Sequence, residues 1–186
     1  ALFMNSSRRD ATYEEVLHFV HGYGIQIALP AMQNAIEIAM SNAIENNYYA
    51  PLWDIPEEDY DEEYLAMGLE SFFGLWAHDP SGNGYCGDNE YSFIDRNEMA
   101  AGDPMLYDII SGFFGELWEY LPVLPTEFNT VFNMDLDEAL DYTNRSQYLQ
   151  QVALSGSESA SIYGNHYVNH FYGNSGENSF KGLMGD

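Results

Sequence analysis

The sequence is short of positive charge, of cysteine and of long apolar runs. Only 5 of its 186 residues are Lys or Arg against 30 Asp or Glu, which gives a formal net charge of -25 at pH 7. Phosphate binding requires clustered basic side chains, and anionic lipid repels an acidic surface. We therefore expect no nucleic-acid partner and no membrane docking. The single Cys86 excludes an intrachain disulfide framework, and no apolar stretch approaches the roughly 18 residues of a membrane span, so no membrane insertion is expected.

What the chain does have is the composition of a folded protein. Hydrophobic residues make up 46% and aromatic residues 16% of it, which separates it from a disordered acidic tail. Its length suits one compact domain with a small appendage. Cations are the natural partners of such a surface, and calcium is the first to consider. The alternative is that the charge serves solubility or adaptation to salt. Because the chain opens with Ala1, we expect a form trimmed from a longer precursor.

The apolar spacing changes near residue 142 and divides the chain into two parts. From Ala11 to about Asp141 it is mostly helical. Helices are predicted from Thr12, which forms a capping box with Glu15, and over about 30–46, 57–77, 95–99 and 104–120. We therefore predict an α+β chain. A mainly helical domain over 1–142 is followed by a short parallel β-solenoid over 143–186.

The second part repeats every nine residues. Ile162, Phe171 and Phe180 are nine residues apart, and so are Gly164, Gly173 and Gly182. One inward apolar residue on a short strand, followed by a corner, is typical of a stacked solenoid. The predicted corner residues are Gly164, Asn165, Gly173, Asn174, Asn178 and Gly182. Gly and Asn tolerate a positive φ, which we expect at these corners.

The segment from Gly173 to Lys181 resembles the RTX, or hemolysin-type, nonapeptide repeat G-G-x-G-x-D-x-U-x. The resemblance implies a parallel β-roll whose turns bind calcium. Asn169 and Asn178 stand where carboxylates would coordinate the ion, so we expect fewer or weaker calcium sites than in a full array. The repeats stop at Asp186, and we expect the solenoid either to continue in a longer protein or to pair with a neighbour.

A candidate calcium loop runs from Asp79 to Glu90. Against the EF-hand pattern, oxygen ligands fall at alternate positions, a Gly stands at the sharp turn and a bidentate Glu stands at the end. The predicted calcium ligands are Asp79, Ser81, Asn83, the Tyr85 carbonyl and Glu90. The alternative interpretation is a glycine-rich surface loop with ordinary turn-forming residues.

A third pattern lies on the first helix, where Glu14, His18 and His21 follow each other at i, i+4 and i+7. The run 14–18 is similar to the metallopeptidase motif H-E-x-x-H with Glu in the first position. The run 63–73 resembles the E-F-F-A-x-x-x-E-x-F-F helix of gluzincin peptidases, and 103–107 resembles the D-P-x-L-Y segment of the lethal-factor and titration-factor types.

The gluzincin resemblance implies a zinc site. His18 and Glu63 would hold the ion, Glu14 or His21 would complete the set, and Glu15 would act as general base. Only 13 residues precede Glu14, too few for the substrate-binding sheet of a zincin, so an inactive site is expected. The alternative is that these residues form an exposed pair on an ordinary helix.

These patterns lead to two main hypotheses. The first is a secreted bacterial calcium-binding structural or assembly protein, which self-associates in an extracellular matrix or filament and carries an inactive metallopeptidase-like domain. The second is a secreted zinc metallopeptidase processed from a longer precursor. A glycan-binding adhesin, using exposed Tyr and Trp, is a third possibility.

Overall fold

The computed structural model describes residues 12–74, 90–137 and 146–185. The chain divides into two compact units, Ala1–Phe114 and Gly115–Asp186. The helices lie in the first unit and small parallel sheets lie in the second. The fold is thus mixed helix and sheet, as the α+β prediction required.

The predicted helices are present in the first unit, although those predicted over 57–77 and 104–120 end earlier, at Phe72 and Phe114. They are α1 (Thr12–Val20), a π-helical turn (His21–Ile25), α2 (Gln26–Ala28), α3 (Pro30–Glu45), a 3₁₀ turn (Glu57–Asp59), α4 (Tyr60–Phe72), α5 (Arg96–Gly102) and α6 (Pro104–Phe114). Pro30 begins α3, where its missing N–H has no intrahelical partner to lose. Asp95 caps α5 by accepting from two backbone N–H groups. No helix in the described part of the chain is long and apolar enough to cross a membrane.

Helix α4 lies at the centre of this unit and packs against α1, α3, α5 and α6. Its core side chains meet those of α3 and α6. The fully buried members include Ile36, Ala39, Ala43, Leu65, Phe72, Leu106 and Ile110. Gly68 allows α6 to approach, because a Cβ there would lie 2.4 Å from the Leu106 Cδ2 atom. Helix α4 therefore packs closely against α6 at this glycine, and it also contacts α1, which carries His18.

A buried carboxylate, Asp103, joins the end of α5 to the core. Its Oδ2 atom accepts hydrogen bonds from the hydroxyls of Tyr64 at 2.5 Å and Tyr91 at 3.1 Å. Burial raises the pKa of Asp103, and these hydrogen bonds oppose the rise. Burial also raises the pKa of Tyr64, and the carboxylate of Asp103 adds to it. The three side chains form a satisfied polar cluster in the apolar core.

In the described residues of the second unit, five short strands form two parallel sheets. The strands are β1 (Val131–Asn133), β2 (Gln151–Ala153), β3 (Ala160–Tyr163), β4 (His170–Tyr172) and β5 (Asn178–Lys181), and a 3₁₀ turn follows at Leu183–Gly185. One sheet has the order β1-β3-β5 and the other pairs β2 with β4. From β1 to β5 the chain therefore alternates between the two sheets at each strand.

The nine-residue spacing coincides with the strands. Ile162, Phe171 and Phe180 lie in β3, β4 and β5. Ile162 is opposite Phe132 on one side and Phe180 on the other, and Phe171 is opposite Val152. The core of this unit consists of Met134, Leu149, Val152, Leu154, Ala160 and Ile162, with Trp118, Leu124, Phe128, Phe132 and Phe171 packed against it. The repeated residue is fully buried at Ile162 in β3, which has a strand on both sides, and partly buried at Phe171, whereas Phe180 in the outer strand β5 is 43% exposed.

The division between the units lies after Phe114, earlier than the boundary near residue 142 predicted from composition. Helix α6 ends at Phe114 and not at Tyr120, because Gly115 adopts a φ of 75°. The following residues join the sheets: Leu124 N–H donates to the Ala153 carbonyl, and Met134 N–H donates to the Tyr163 carbonyl. Two prolines in the run 121–125 favour an extended backbone there.

Candidate functional site

Helices α1 and α4 bring together two of the predicted zinc ligands. The Nε2 atom of His18 lies 3.7 Å from the Oε2 atom of Glu63, and both side chains are about four-fifths buried, with exposed fractions of 21% and 17%. The Nε2 atom is buried and has no hydrogen-bond partner among the described residues. Glu15 is exposed on α1, and the side chain of Glu14 lies outside the described part of the structure.

His21 faces a different set of groups from those the sequence suggested. It begins the π-helical turn and is fully buried. Its Nε2 atom is 2.8 Å from the Oε1 atom of Gln33. The amide group of Gln33 donates to Glu37 at 3.0 Å and to Asp61, so its Oε1 atom accepts and the His21 Nε2 atom carries the hydrogen. The Nδ1 atom is left 4.0 Å from the Oε1 atom of Glu62, with no hydrogen bond in the described structure.

Two imidazole nitrogens therefore face two successive carboxylates of α4. Glu63 was predicted from the sequence, whereas Asp61 and Glu62 were not, although the acidic run at the start of α4 was a visible signal. Burial raises the pKa of Glu62 and the Asp61 charge adds to the rise, whereas His21 and His18 oppose it. Within residues 12–74, 90–137 and 146–185, no three His, Cys, Asp or Glu side chains are arranged to hold a metal ion.

An acidic cavity of about 440 Å³ opens beside this cluster, between α2, α3 and the start of α4. Four carboxylates line it: Glu37, Glu57, Glu58 and Asp61. Asp61 also accepts from Gln33 and from Gln26, the latter at 3.4 Å. The cavity concentrates negative charge on the same side of α4 as His21.

Of the predicted calcium loop, only Glu90 lies within the described residues. Its carboxylate is buried, and the Oε1 atom accepts a hydrogen bond from the Leu52 N–H at 3.1 Å. Its carbonyl accepts from the Ala50 N–H at 2.7 Å. Burial raises the pKa of the neighbouring Tyr49 and the Glu90 charge adds to it. The far end of the loop is thus anchored to the segment after α3, and Asp79, Ser81, Asn83 and Tyr85 lie outside the described residues.

The predicted corners of the second unit have a different chemistry from the one expected. A positive φ was predicted at the Gly and Asn corners, and this is wrong for Asn165, Asn174 and Asn178 and for Gly164 and Gly173. The two glycines provide space instead: a Cβ on Gly164 would lie 2.4 Å from the Asn169 Oδ1 atom and 2.9 Å from the Gly182 carbonyl. A Cβ on Gly173 would lie 2.5 Å from the Asn178 Oδ1 atom.

Gly164 and Gly173 are each followed by two asparagines that form hydrogen bonds with each other. The Asn165 N–H donates to the Asn169 Oδ1 atom and the Asn169 amide donates back to the Asn165 Oδ1 atom, at 2.9 and 3.0 Å. The same two bonds join Asn174 and Asn178, at 2.9 and 2.8 Å. The sequence indicated Asn at these corners, but the reciprocal bonds became visible only in the structure.

No protein-family model matches the chain, and no match was found among curated proteins or among solved structures. Its function is therefore argued from the residues described above.

Proposed function

We propose that this chain is a secreted bacterial calcium-binding structural or assembly protein, whose second unit is a short β-solenoid. The observation that carries the proposal is the alternation of strands between two parallel sheets. Strand β3 pairs with β5, and β4, which lies between them in the chain, pairs with β2. A chain that returns to the same sheet after visiting the other follows the path of a coil, which supports a solenoid of stacked turns.

Stacked solenoid turns create extended binding surfaces, and the exposed apolar side chains of the second unit support a role in binding. Val168, Tyr172 and Phe180 are 62%, 50% and 43% exposed on the second unit. Large apolar side chains that remain in contact with water favour association. We therefore propose self-association of the protein in an extracellular matrix or filament.

Calcium is the proposed partner of the helical unit. The net charge of -25, the four carboxylates around the acidic cavity and the anchored Glu90 carboxylate all support a hard cation with oxygen ligands. The loop from Asp79 to Glu90 is the proposed site. A bound ion would also reduce the repulsion among the carboxylates of this unit.

Removal of calcium is expected to destabilise the protein. With free calcium at about 100 times its dissociation constant, binding contributes about 2.7 kcal/mol to folding, so excess EGTA should lower the Tm by about 5–10 °C. Calorimetry in EGTA, calcium and magnesium measures this effect, and light scattering should show larger particles with calcium. Asp79→Asn removes one charge of a predicted calcium ligand, so this variant should lose the calcium response. An unchanged Tm and particle size in EGTA would eliminate the calcium proposal.

A zinc metallopeptidase is the second candidate, and the His18–Glu63 pair is the observation that favours it. Two ligands of one tetrahedral zinc ion lie about 3.4 Å apart, given metal–ligand bonds of about 2.1 Å. The 3.7 Å between the His18 Nε2 and Glu63 Oε2 atoms is close to this separation. His18 and Glu63 would hold the ion together with Glu14, because the Nε2 atom of His21 meets Gln33 and its Nδ1 atom faces Glu62. A bound zinc ion would supply Lewis-acid chemistry, and Glu15 would take a proton from the attacking water.

Zinc titration followed by a peptidase assay tests the second candidate. If zinc binds at the pair, His18→Ala should weaken zinc binding by about 10-fold or more, whereas Glu15→Gln should keep zinc and lose hydrolysis. His166→Ala, in the other unit, is the matched control and should bind zinc like the parent protein. Absence of stoichiometric zinc in the parent protein rejects this candidate, and zinc binding without hydrolysis leaves a structural metal site.

A further inference from the structure

The strongest unassigned feature of the second unit is the way its two asparagine pairs reach across to the neighbouring turn. Asn165 is fully buried, and its Nδ2 atom donates to the Gln147 carbonyl at 3.0 Å and the Leu149 carbonyl at 2.9 Å. One repeat later, the Nδ2 atom of Asn174 donates to the Ser155 carbonyl at 2.8 Å and the Glu158 carbonyl at 3.0 Å. The same connection is therefore made twice.

The hydrogen-bonding capacity of these amides is fully used. The Oδ1 atom of Asn174 accepts from the Gly176 N–H at 2.9 Å and from the Asn178 amide at 2.8 Å. An amide has two donor hydrogens and an oxygen that accepts two bonds, and Asn174 uses all four. The equivalent oxygen of Asn165 accepts from the Tyr167 N–H at 3.0 Å and from Asn169.

The carbonyls that meet each Nδ2 atom converge on one point from an earlier part of the chain. Carbonyl oxygens that converge in this way need a positive group between them. That group can be a hard cation, or it can be the pair of N–H hydrogens on an amide. In this structure the amide nitrogen lies 2.8–3.0 Å from the oxygens at Asn174, which leaves no room for an ion at the same point.

We infer that the amides of Asn165 and Asn174 close the turns in place of a bound divalent cation, so that the second unit folds without calcium. The inference rests on the solenoid proposed above, and it confines the proposed calcium to the helical unit. The same geometry makes each corner a latent cation site. A carboxylate at position 165 or 174 has no hydrogens to donate and would place further oxygens beside the two carbonyls, as a calcium ion requires.

Hydrogen exchange on the full chain, read by mass spectrometry over residues 160–181, tests this inference. The parent protein should show the same protection in EGTA and in calcium. Asn174→Asp should exchange about 10-fold faster or more in EGTA and recover its protection in calcium. Ser175→Asp adds the same charge to the same corner at an exposed residue and should stay protected in both. Asn165→Asp repeats the test at the buried corner.

Each result decides one part of the inference. Loss of protection by the parent protein in EGTA overturns calcium-independent folding. Full protection of Asn174→Asp in EGTA overturns the role of the amide hydrogens. Exchange of that variant that remains fast in calcium overturns the latent site. Exchange over α4, measured in the same samples, reports on the calcium proposed for the helical unit. A failure of the calcium proposal would therefore be detected over α4, separately from the result over residues 160–181.

Discussion

Ile162→Ala is expected to lower the free energy of unfolding of the second unit by about 2–5 kcal/mol, the range for truncating a buried Ile to Ala. Ile162 is fully buried, and its neighbours in the sheet are Phe132 and Phe180. Truncation removes apolar contacts on both sides and leaves a cavity between strands that are each only three or four residues long. Because a short strand has few other contacts, the loss should extend through the whole β1-β3-β5 sheet.

Urea unfolding monitored by circular dichroism, with hydrogen exchange over 160–181, measures this loss. Val168→Ala is the control, because Val168 is 62% exposed in the same unit and its truncation should cost about 0.5 kcal/mol or less. If the two variants lose equal stability, Ile162 does not organise the core. Protection over α4 should be the same in both variants, since the core of the first unit contains neither residue.

Gly164→Ala and Gly112→Ala are expected to have opposite effects. A Cβ on Gly164 would lie 2.4 Å from the Asn169 Oδ1 atom and 2.9 Å from a backbone carbonyl, and backbone cannot move aside easily. Overpacking costs about 1–3 kcal/mol, and displacement of Asn169 would lose hydrogen bonds of about 1 kcal/mol each. We expect Gly164→Ala to lower the free energy of unfolding by about 2–4 kcal/mol.

Gly112 offers the matched comparison because a Cβ there meets nothing within 4 Å. It lies on an exposed part of α6, where alanine is favoured over glycine by about 0.5–1 kcal/mol. Thermal unfolding of both variants should show a lower Tm for Gly164→Ala and a slightly higher Tm for Gly112→Ala. Equal Tm shifts in the two variants would mean that position 164 has room for a Cβ atom.

The helices and the repeat were predictable because both depend on local periods. The starts of α1 and α3 follow from Thr12 and Pro30, and the nine-residue spacing of Ile162, Phe171 and Phe180 marked the positions of three strands. The extent of the second unit was not predictable in this way. Residues 115–130 carry no clear strand period, and they join the sheets through backbone hydrogen bonds such as that from Leu124 to Ala153, which composition does not reveal.

Only those parts of the candidate site that follow from helix spacing or from the gluzincin resemblance could be predicted. The resemblance proposed His18 and Glu63 as partners, and the structure places them 3.7 Å apart. His21 was expected on the same helix face, but the π-helical turn that begins there changes the direction of its side chain. The bonds of Gln33 to His21 and Asp61 depend on tertiary packing between α3 and α4, and no local period predicts them.

The pairing of strands also limits which insertions and deletions of nine-residue repeats the fold can tolerate. Strand β3 pairs with β5, two repeats further on, while β4 belongs to the other sheet. Loss or gain of one nine-residue repeat would move every later strand to the opposite sheet and give it a new partner. Loss or gain of two would leave every later strand in the same sheet as before. Recombination can therefore lengthen or shorten this region in paired steps, and variants that differ by a single repeat should be selected against.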